Sequence, residues 1–150
     1  KLHTAEALLA RAGELLTDVL GQSRLPEESQ EKLLVAFREG LDNAARHGNR
    51  YDAQRLIEVQ FLADQERVTV TVEDQGEGFD PEPYLRRSLD LVPLELSRER
   101  AANGQSGGLG ILLMRKCTDR VEYNAIGNKV TLSRLVGRSR AALPTAPAAG

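Results

Sequence analysis

The hydrophobic period of this chain changes from 3.6 to 2 near residue 50, and nothing else in the sequence constrains the fold as strongly. Upstream, Ala5, Leu8, Leu9, Ala12, Leu15, Leu16, Val19 and Leu20 form an apolar helical stripe over residues 5–20 that Gly21 ends. Pro26 suits a first helical position, and Glu27 and Glu28 suit the positive end of a helix dipole; together they start a second helix predicted to reach about His47. Leu33, Leu34, Phe37, Leu41 and Ala44 make its apolar face, and Gly48-Asn49 is a fitting stop. Downstream, alternation predicts strands over residues 55–63 and around Val68, Val70 and Val72, joined by a hairpin-length Asp64-Gln65-Glu66. A glycine-punctuated stretch at 74–80 leads into an aperiodic segment, 81–107, of the length that functional lids have. A helix from Leu109 to Cys117 follows, then a hairpin from Arg120 to Val136 that turns at Ile126-Gly127-Asn128. These strands stand too close together for crossovers. The expected class is therefore an α/β (α+β) two-layer sandwich, a mixed, mostly antiparallel sheet covered on one face by helices. Residues 1–136 read as one domain and residues 137–150, rich in Ala, Pro and Arg, as a flexible tail or linker.

Composition removes several function classes. A chain of 150 residues buries roughly 68–70% of its unfolded surface and needs no disulfide or structural metal. Its single Cys117 and two histidines cannot supply a four-ligand zinc site. No apolar run approaches the roughly 18 residues of a membrane span, and the N-terminus lacks the apolar core of a signal peptide, so the chain reads as cytoplasmic. A net charge of −2, with three Phe, three Tyr and no Trp, argues against nucleic acid as a direct partner.

Three local patterns carry candidate chemistry. Glu39, Asn43 and His47 recur every four residues along one side of the second helix, within reach of a common ligand. At about 100° per residue, Glu39 also falls nearly opposite the Leu33-Phe37-Leu41 face, where a solvated polar stripe would lie, so spacing leaves both readings open. Gly40, inside that helix, costs about 1 kcal/mol against alanine and calls for a packing or ligand reason. Asp74 shares the parity of Val68, Val70 and Val72, which turns its carboxylate toward the apolar layer. There it needs the amides of Gly76 and Gly78 or a ligand with an exocyclic amine, unless it simply ends the strand in a turn. The third pattern, Gly104 to Gly110, runs straight into a helix, where glycine amides and a helix N-terminus favour phosphate. It lacks the Gly-Lys-Ser/Thr ending of a P-loop and the βαβ surroundings of a dinucleotide fingerprint, and a plain linker is its alternative.

The order of the three patterns is the specific signal. Glu39-x-x-x-Asn43-Ala44-x-x-His47-Gly48 on a helix, Asp74-x-Gly76-x-Gly78 at a strand end, a variable segment, and Gly108-Leu109-Gly110 at a helix start resemble the GHKL ATP-binding superfamily. Within it, the chain is most similar to the anti-sigma factor serine/threonine protein kinases, over residues 5–136. The resemblance implies an ATP-binding, kinase-like domain with ATP and Mg²⁺ as cofactors. It implies Glu39 as general base, Asn43 as Mg²⁺ ligand and Asp74 as reader of the adenine amino group. Gly76 and Gly78 would shape the adenine pocket, Ser106, Gly107, Gly108, Leu109 and Gly110 would cover the phosphates, and His47 would support the helix motif. The chemistry agrees: a carboxylate takes a proton from an attacking hydroxyl, and an amide oxygen suits hard Mg²⁺. The implied activity is phosphorylation of an anti-anti-sigma (antagonist) protein and sequestration of a sigma factor, with a homodimer left open.

Two departures stand out. Asn128 follows Gly127 where many superfamily members carry a Thr that joins the aspartate beside adenine, and its parity with Val130 and Leu132 turns it inward to act in that place. Gln105 stands where some relatives carry a basic residue, with Arg98 and Arg100 nearby to compensate. The segment 87–107 is expected to be a lid that orders with ATP. Two other functions remain open. A histidine kinase catalytic domain needs a phosphoacceptor histidine, and His3, outside the helix motif, lacks an acidic residue directly after it. A nucleotide-sensing module would bind without transfer.

Overall fold

The computed structural model of the chain describes residues 2–87 and 108–137. Helix α1 (Leu2–Gly21) and helix α2 (Glu27–Asn43) are followed by strands β1 (Glu58–Ala63) and β2 (Arg67–Glu73), a short helix α3 (Glu82–Leu85), helix α4 (Leu109–Cys117) and strands β3 (Arg120–Tyr123) and β4 (Lys129–Leu135). Ser106, Gly107, Gln105, Arg98, Arg100, nearly all of the expected lid and all but the first residue of the expected tail lie outside the described residues.

The four strands form one sheet in the order β1-β2-β4-β3, with every described pairing antiparallel. Its helix-facing side is set by register: Val59 pairs with Val72 and Phe61 with Val70, and β4 places Val130 beside Val72 and Leu132 beside Val70. Against this face lie Leu16 and Leu20 of α1, Leu33, Ala36 and Phe37 of α2, and Ile111 and Met114 of α4, all buried in one core. Phe37 meets Phe61 edge-on at 5.5 Å between ring centroids. Burial of each large side chain of this kind is worth about 1.5–3 kcal/mol, which makes α2 the central helix of the layer.

Polar ties close the edges. Ser23 caps the end of α1 by donating its hydroxyl to the Leu20 carbonyl at 2.7 Å. Asp64 holds the β1–β2 turn, its Oδ1 accepting the amides of Glu66 (2.8 Å) and Arg67 (2.9 Å). Arg134 on β4 joins three elements: it donates to the Ser29 hydroxyl at 2.8 Å, to the Cys117 carbonyl at the end of α4 at 3.3 Å, and lies 3.9 Å from Asp119.

Three local expectations are corrected. Pro26 is the cap before α2, with extended ψ, rather than its first helical residue. The second helix is α-helical only to Asn43; Ala44–Gly48 is a π-helical turn in which the Asn49 amide donates to the Ala44 carbonyl at 2.7 Å. The first strand begins at Glu58, three residues late, because Arg50 and Tyr51 both adopt positive φ (52° and 56°) and the chain turns before it extends. Non-glycine residues rarely occupy that region, and two in succession mark a segment held by its surroundings.

Candidate functional site

One cleft of about 530 Å³ opens between α2, the end of β2, the β3–β4 turn and the start of α4. That volume lies within the range of small-molecule sites. Asn43, His47, Asp74, Gly78, Gly108 and Asn128 are on its wall, as is Gly40. Glu39, Gly76, Leu109 and Gly110 stand behind that wall rather than on it.

Asp74 follows the last paired residue of β2, and its amide donates to the Asn128 carbonyl at 2.9 Å, which pins the strand end to the β3–β4 turn. Its Oδ1 accepts the Gly76 amide at 2.8 Å. Burial pushes the Asp74 carboxyl above its ordinary value, while the Gly76 amide and the charge of Arg55 act in the opposite direction. Gly48, the last residue of the π turn, packs directly on this carboxylate: a Cβ there would run into the Asp74 side chain. A Cβ on Gly76 would run into the Gly48 carbonyl oxygen. Two backbones and one carboxylate are thus in contact, and only glycine allows it.

The β3–β4 turn locks onto the same segment. The Phe79 amide donates to the Ile126 carbonyl at 2.9 Å, and Gly78 (φ 78°) and Gly127 (φ 79°) pass so closely that a Cβ on either would collide with the other strand's carbonyl. Asn128 does face inward, but its amide is engaged by the protein: Nδ2 donates to the Asp74 carbonyl at 3.0 Å and Oδ1 accepts from Asn124 at 2.7 Å. Asn124 in turn accepts the amides of Gly127, Asn128 and Lys129 on its Oδ1.

At the opposite end, the stripe on α2 meets α4. A Cβ on Gly110 would lie 3.0 Å from Glu39 Oε2 and 3.1 Å from Asn43 Nδ2, so both side chains lie against the first turn of α4 instead of projecting into solvent. Glu39 and Asn43 are half-buried, whereas His47, at the end of the stripe, is exposed. Gly108 caps α4 in a left-handed conformation (φ 116°), and the first amides of α4 lack helical partners. Gly40 is not forced by packing: a Cβ there would make ordinary contacts of 3.5–3.8 Å with Val130, Val72 and Leu132.

Several residues of the site escaped the motif reading. Asn49, only 3% exposed, donates to the Leu56 carbonyl and accepts the Gln75 amide, bracing the loop that carries Arg50, Asp52 and Arg55 to the cleft mouth. An aromatic wall of Phe79, Tyr84 and Tyr123 lines one side. Asparagine at a helix end and aromatics scattered over 45 positions give no local pattern.

The sequence pattern of the histidine kinase-like ATPase domain matches residues 2–134. The chain belongs to that family. Among curated proteins, the ATPase domain is similar to the serine-protein kinase RsbW of Listeria monocytogenes, 26% identical over 126 residues that span 83% of this chain and 78% of that one. The corresponding RsbW of Bacillus subtilis is 29% identical over 111 residues (73% and 67%). The sensor histidine kinase CpxA of Escherichia coli is 27% identical over 117 residues, 68% of this chain but 25% of CpxA. The helices on one face of an antiparallel sheet are the fold expected of this ATPase family. No described helix is long and apolar enough to cross a membrane.

Proposed function

We propose that this ATPase domain is an anti-sigma factor-like serine/threonine protein kinase that transfers the γ-phosphoryl of ATP to an anti-anti-sigma (antagonist) protein and otherwise holds a sigma factor. One observation carries the reading. A half-buried carboxylate, Asp74, whose burial raises its pKa, stands at one end of a single cleft, and at the other Asn43, with Glu39 behind it, meets the first turn of α4.

In this reading Asp74 accepts a hydrogen bond from the adenine amine; the Gly76 amide holds its carboxylate, Asn128 holds its backbone, and Gly78 lets the β3–β4 turn pack against the same segment. The amides of Gly108, Leu109 and Gly110 face phosphate oxygens, as helix N-termini do, with Ser106 and Gly107 extending that cover. ATP supplies the phosphoryl group, and Mg²⁺ offsets its charge. Among the described residues no group of three or more His, Cys, Asp or Glu could hold a metal. The Asn43 amide oxygen suits Mg²⁺, which keeps several waters and leans on phosphate oxygens, so this donor set fits a metal that arrives with the nucleotide. Glu39 takes the proton from the attacking serine hydroxyl, and His47, at the exposed end of the stripe, supports the helix motif. The similarity to proteins named serine-protein kinases over most of their length favours this reading over a histidine kinase domain, since CpxA is matched over a quarter of its length.

Incubation with Mg-ATP and the antagonist encoded nearest to the gene, followed by mass detection of a phosphoserine, tests the proposal. Phosphoserine on the antagonist is the expected result. Tight ATP binding with no transfer would instead make the protein a nucleotide-sensing module.

A further inference from the structure

Tyr123 closes β3 and pairs with Val130, so its side chain falls on the helix-facing side of the sheet and lines the cleft. Its ring meets Phe79 edge-on, with centroids 5.2 Å apart and planes at 80°. Phe79 continues to Tyr84 at 6.0 Å, and a Cβ on Gly108, at the start of α4, would lie 2.6 Å from the Tyr84 ring. The aromatic wall therefore runs from the base end of the cleft to its phosphate end. Burial pushes the Tyr123 phenol well above its ordinary pKa, and the charge of Asp74 adds to the shift, so the two groups lie within electrostatic reach of each other. Tyr123 is half-buried, and no described residue hydrogen-bonds its hydroxyl, which is not one of the fully buried polar atoms.

We propose that Tyr123 is a specificity-determining residue of the nucleotide site, its ring walling the purine and its hydroxyl donating a hydrogen bond to an adenine ring nitrogen adjacent to the amine that Asp74 accepts. This rests on the ATP reading above. A neutral phenol is a donor toward a ring nitrogen, and an ionised carboxylate is an acceptor only. Both on the wall of one cleft, they match the adenine edge, where an amine donor flanks an acceptor nitrogen. Guanine presents a carbonyl in place of that amine, which Asp74 repels. Guanine N1 carries a hydrogen where adenine N1 is an acceptor, so a Tyr123 donor to N1 adds a second point of base discrimination to the one made by Asp74; a donor to N7, which both purines share, adds affinity alone.

Titration calorimetry of the full chain and of Tyr123→Phe tests this. The substitution keeps the ring and its contact with Phe79 and deletes only the donor. Mg-ATP is expected to bind Tyr123→Phe about five- to tenfold more weakly than the parent, the usual effect of one lost hydrogen bond. Either 1-deaza-ATP or 7-deaza-ATP, each lacking one candidate acceptor, is expected to bind parent and variant equally. Tripolyphosphate, which has no base, is expected to bind both alike. ATP affinity within twofold in parent and variant overturns the assignment, as does failure of both analogues to equalise the pair. A parallel loss of tripolyphosphate affinity also overturns it, because it reports a distorted cleft. A parent that binds no ATP overturns the ATP reading itself, and this assignment with it.

Discussion

Gly48 ends the π turn with its bare Cα against the carboxylate of Asp74, two residues 26 positions apart that must meet for the cleft floor to form. Gly48→Ala cannot be accommodated without displacing that carboxylate. We expect at least tenfold weaker ATP binding by calorimetry, together with a lower thermal midpoint. Gly40→Ala is a contrast within the same helix. Its methyl would make ordinary contacts of 3.5–3.8 Å, and alanine gains up to about 1 kcal/mol of helix propensity, so its thermal midpoint should rise.

Asp74→Asn separates stability from binding. The raised pKa of Asp74 means that the fold favours its protonated form; that stabilising contribution is present below the ordinary value of 3.8 and is lost as pH rises through the raised one. At neutral pH the ionised carboxylate is thus a cost, and asparagine removes it while its Oδ1 still accepts the Gly76 amide. The variant should melt at or above the parental temperature and yet lose ATP binding, since an amide donor would face the adenine amine. Parental affinity itself should fall as acid protonates Asp74. An Asp74→Asn protein with near-parental ATP affinity would leave Asp74 as a turn residue.

For Glu39→Gln, ATP should bind as in the parent while phosphoryl transfer to the antagonist drops by about 10²-fold or more, the scale of a lost general base. Single-turnover transfer at the parental rate would reduce Glu39 to a neighbour of Gly110.

Arg134→Ala probes the opposite end of α4. It strips a partner from the buried Ser29 hydroxyl and from the Cys117 carbonyl, a loss of about 1–3 kcal/mol in denaturant unfolding. Nucleotide affinity, read at the other end of the helix, should stay within twofold of the parent.

The strands were legible because alternation, a local rule, marks Val68, Val70 and Val72. Gly48, Gly76, Gly78 and Gly127 stood out as glycines, but the close approaches that admit only glycine there join segments far apart in the chain. The surroundings of Glu39 were not legible. A helical wheel measures angle from the sheet-facing core, and α2 is covered on a second flank by α4, which only the tertiary fold supplies. The same holds for the aromatic wall: Phe79 and Tyr123 become neighbours through the pairing of β2 and β3 with β4, a non-local event. Asn49 read as a helix stop and Asn124 as part of a hairpin strand, and both are braces. Nor does a period of hydrophobic residues register the switch from α to π, because one extra residue in a single turn leaves the apolar pattern before it unchanged.

That extra residue makes chain length a determinant of the chemistry. Asn43 ends the α-helical part of α2, against the first turn of α4, and Gly48 ends the π turn, against Asp74. Their angular offset is set by how many residues lie between them. Deleting any one of Ala44 to His47 would let the helix relax to its ordinary pitch at little cost in hydrogen bonds, yet would swing the next backbone unit by about 100° away from Asp74. The protein would fold, with its two half-sites out of phase. Among sequences related to this one, a change in count across this turn should therefore be rarer than a change in residue type.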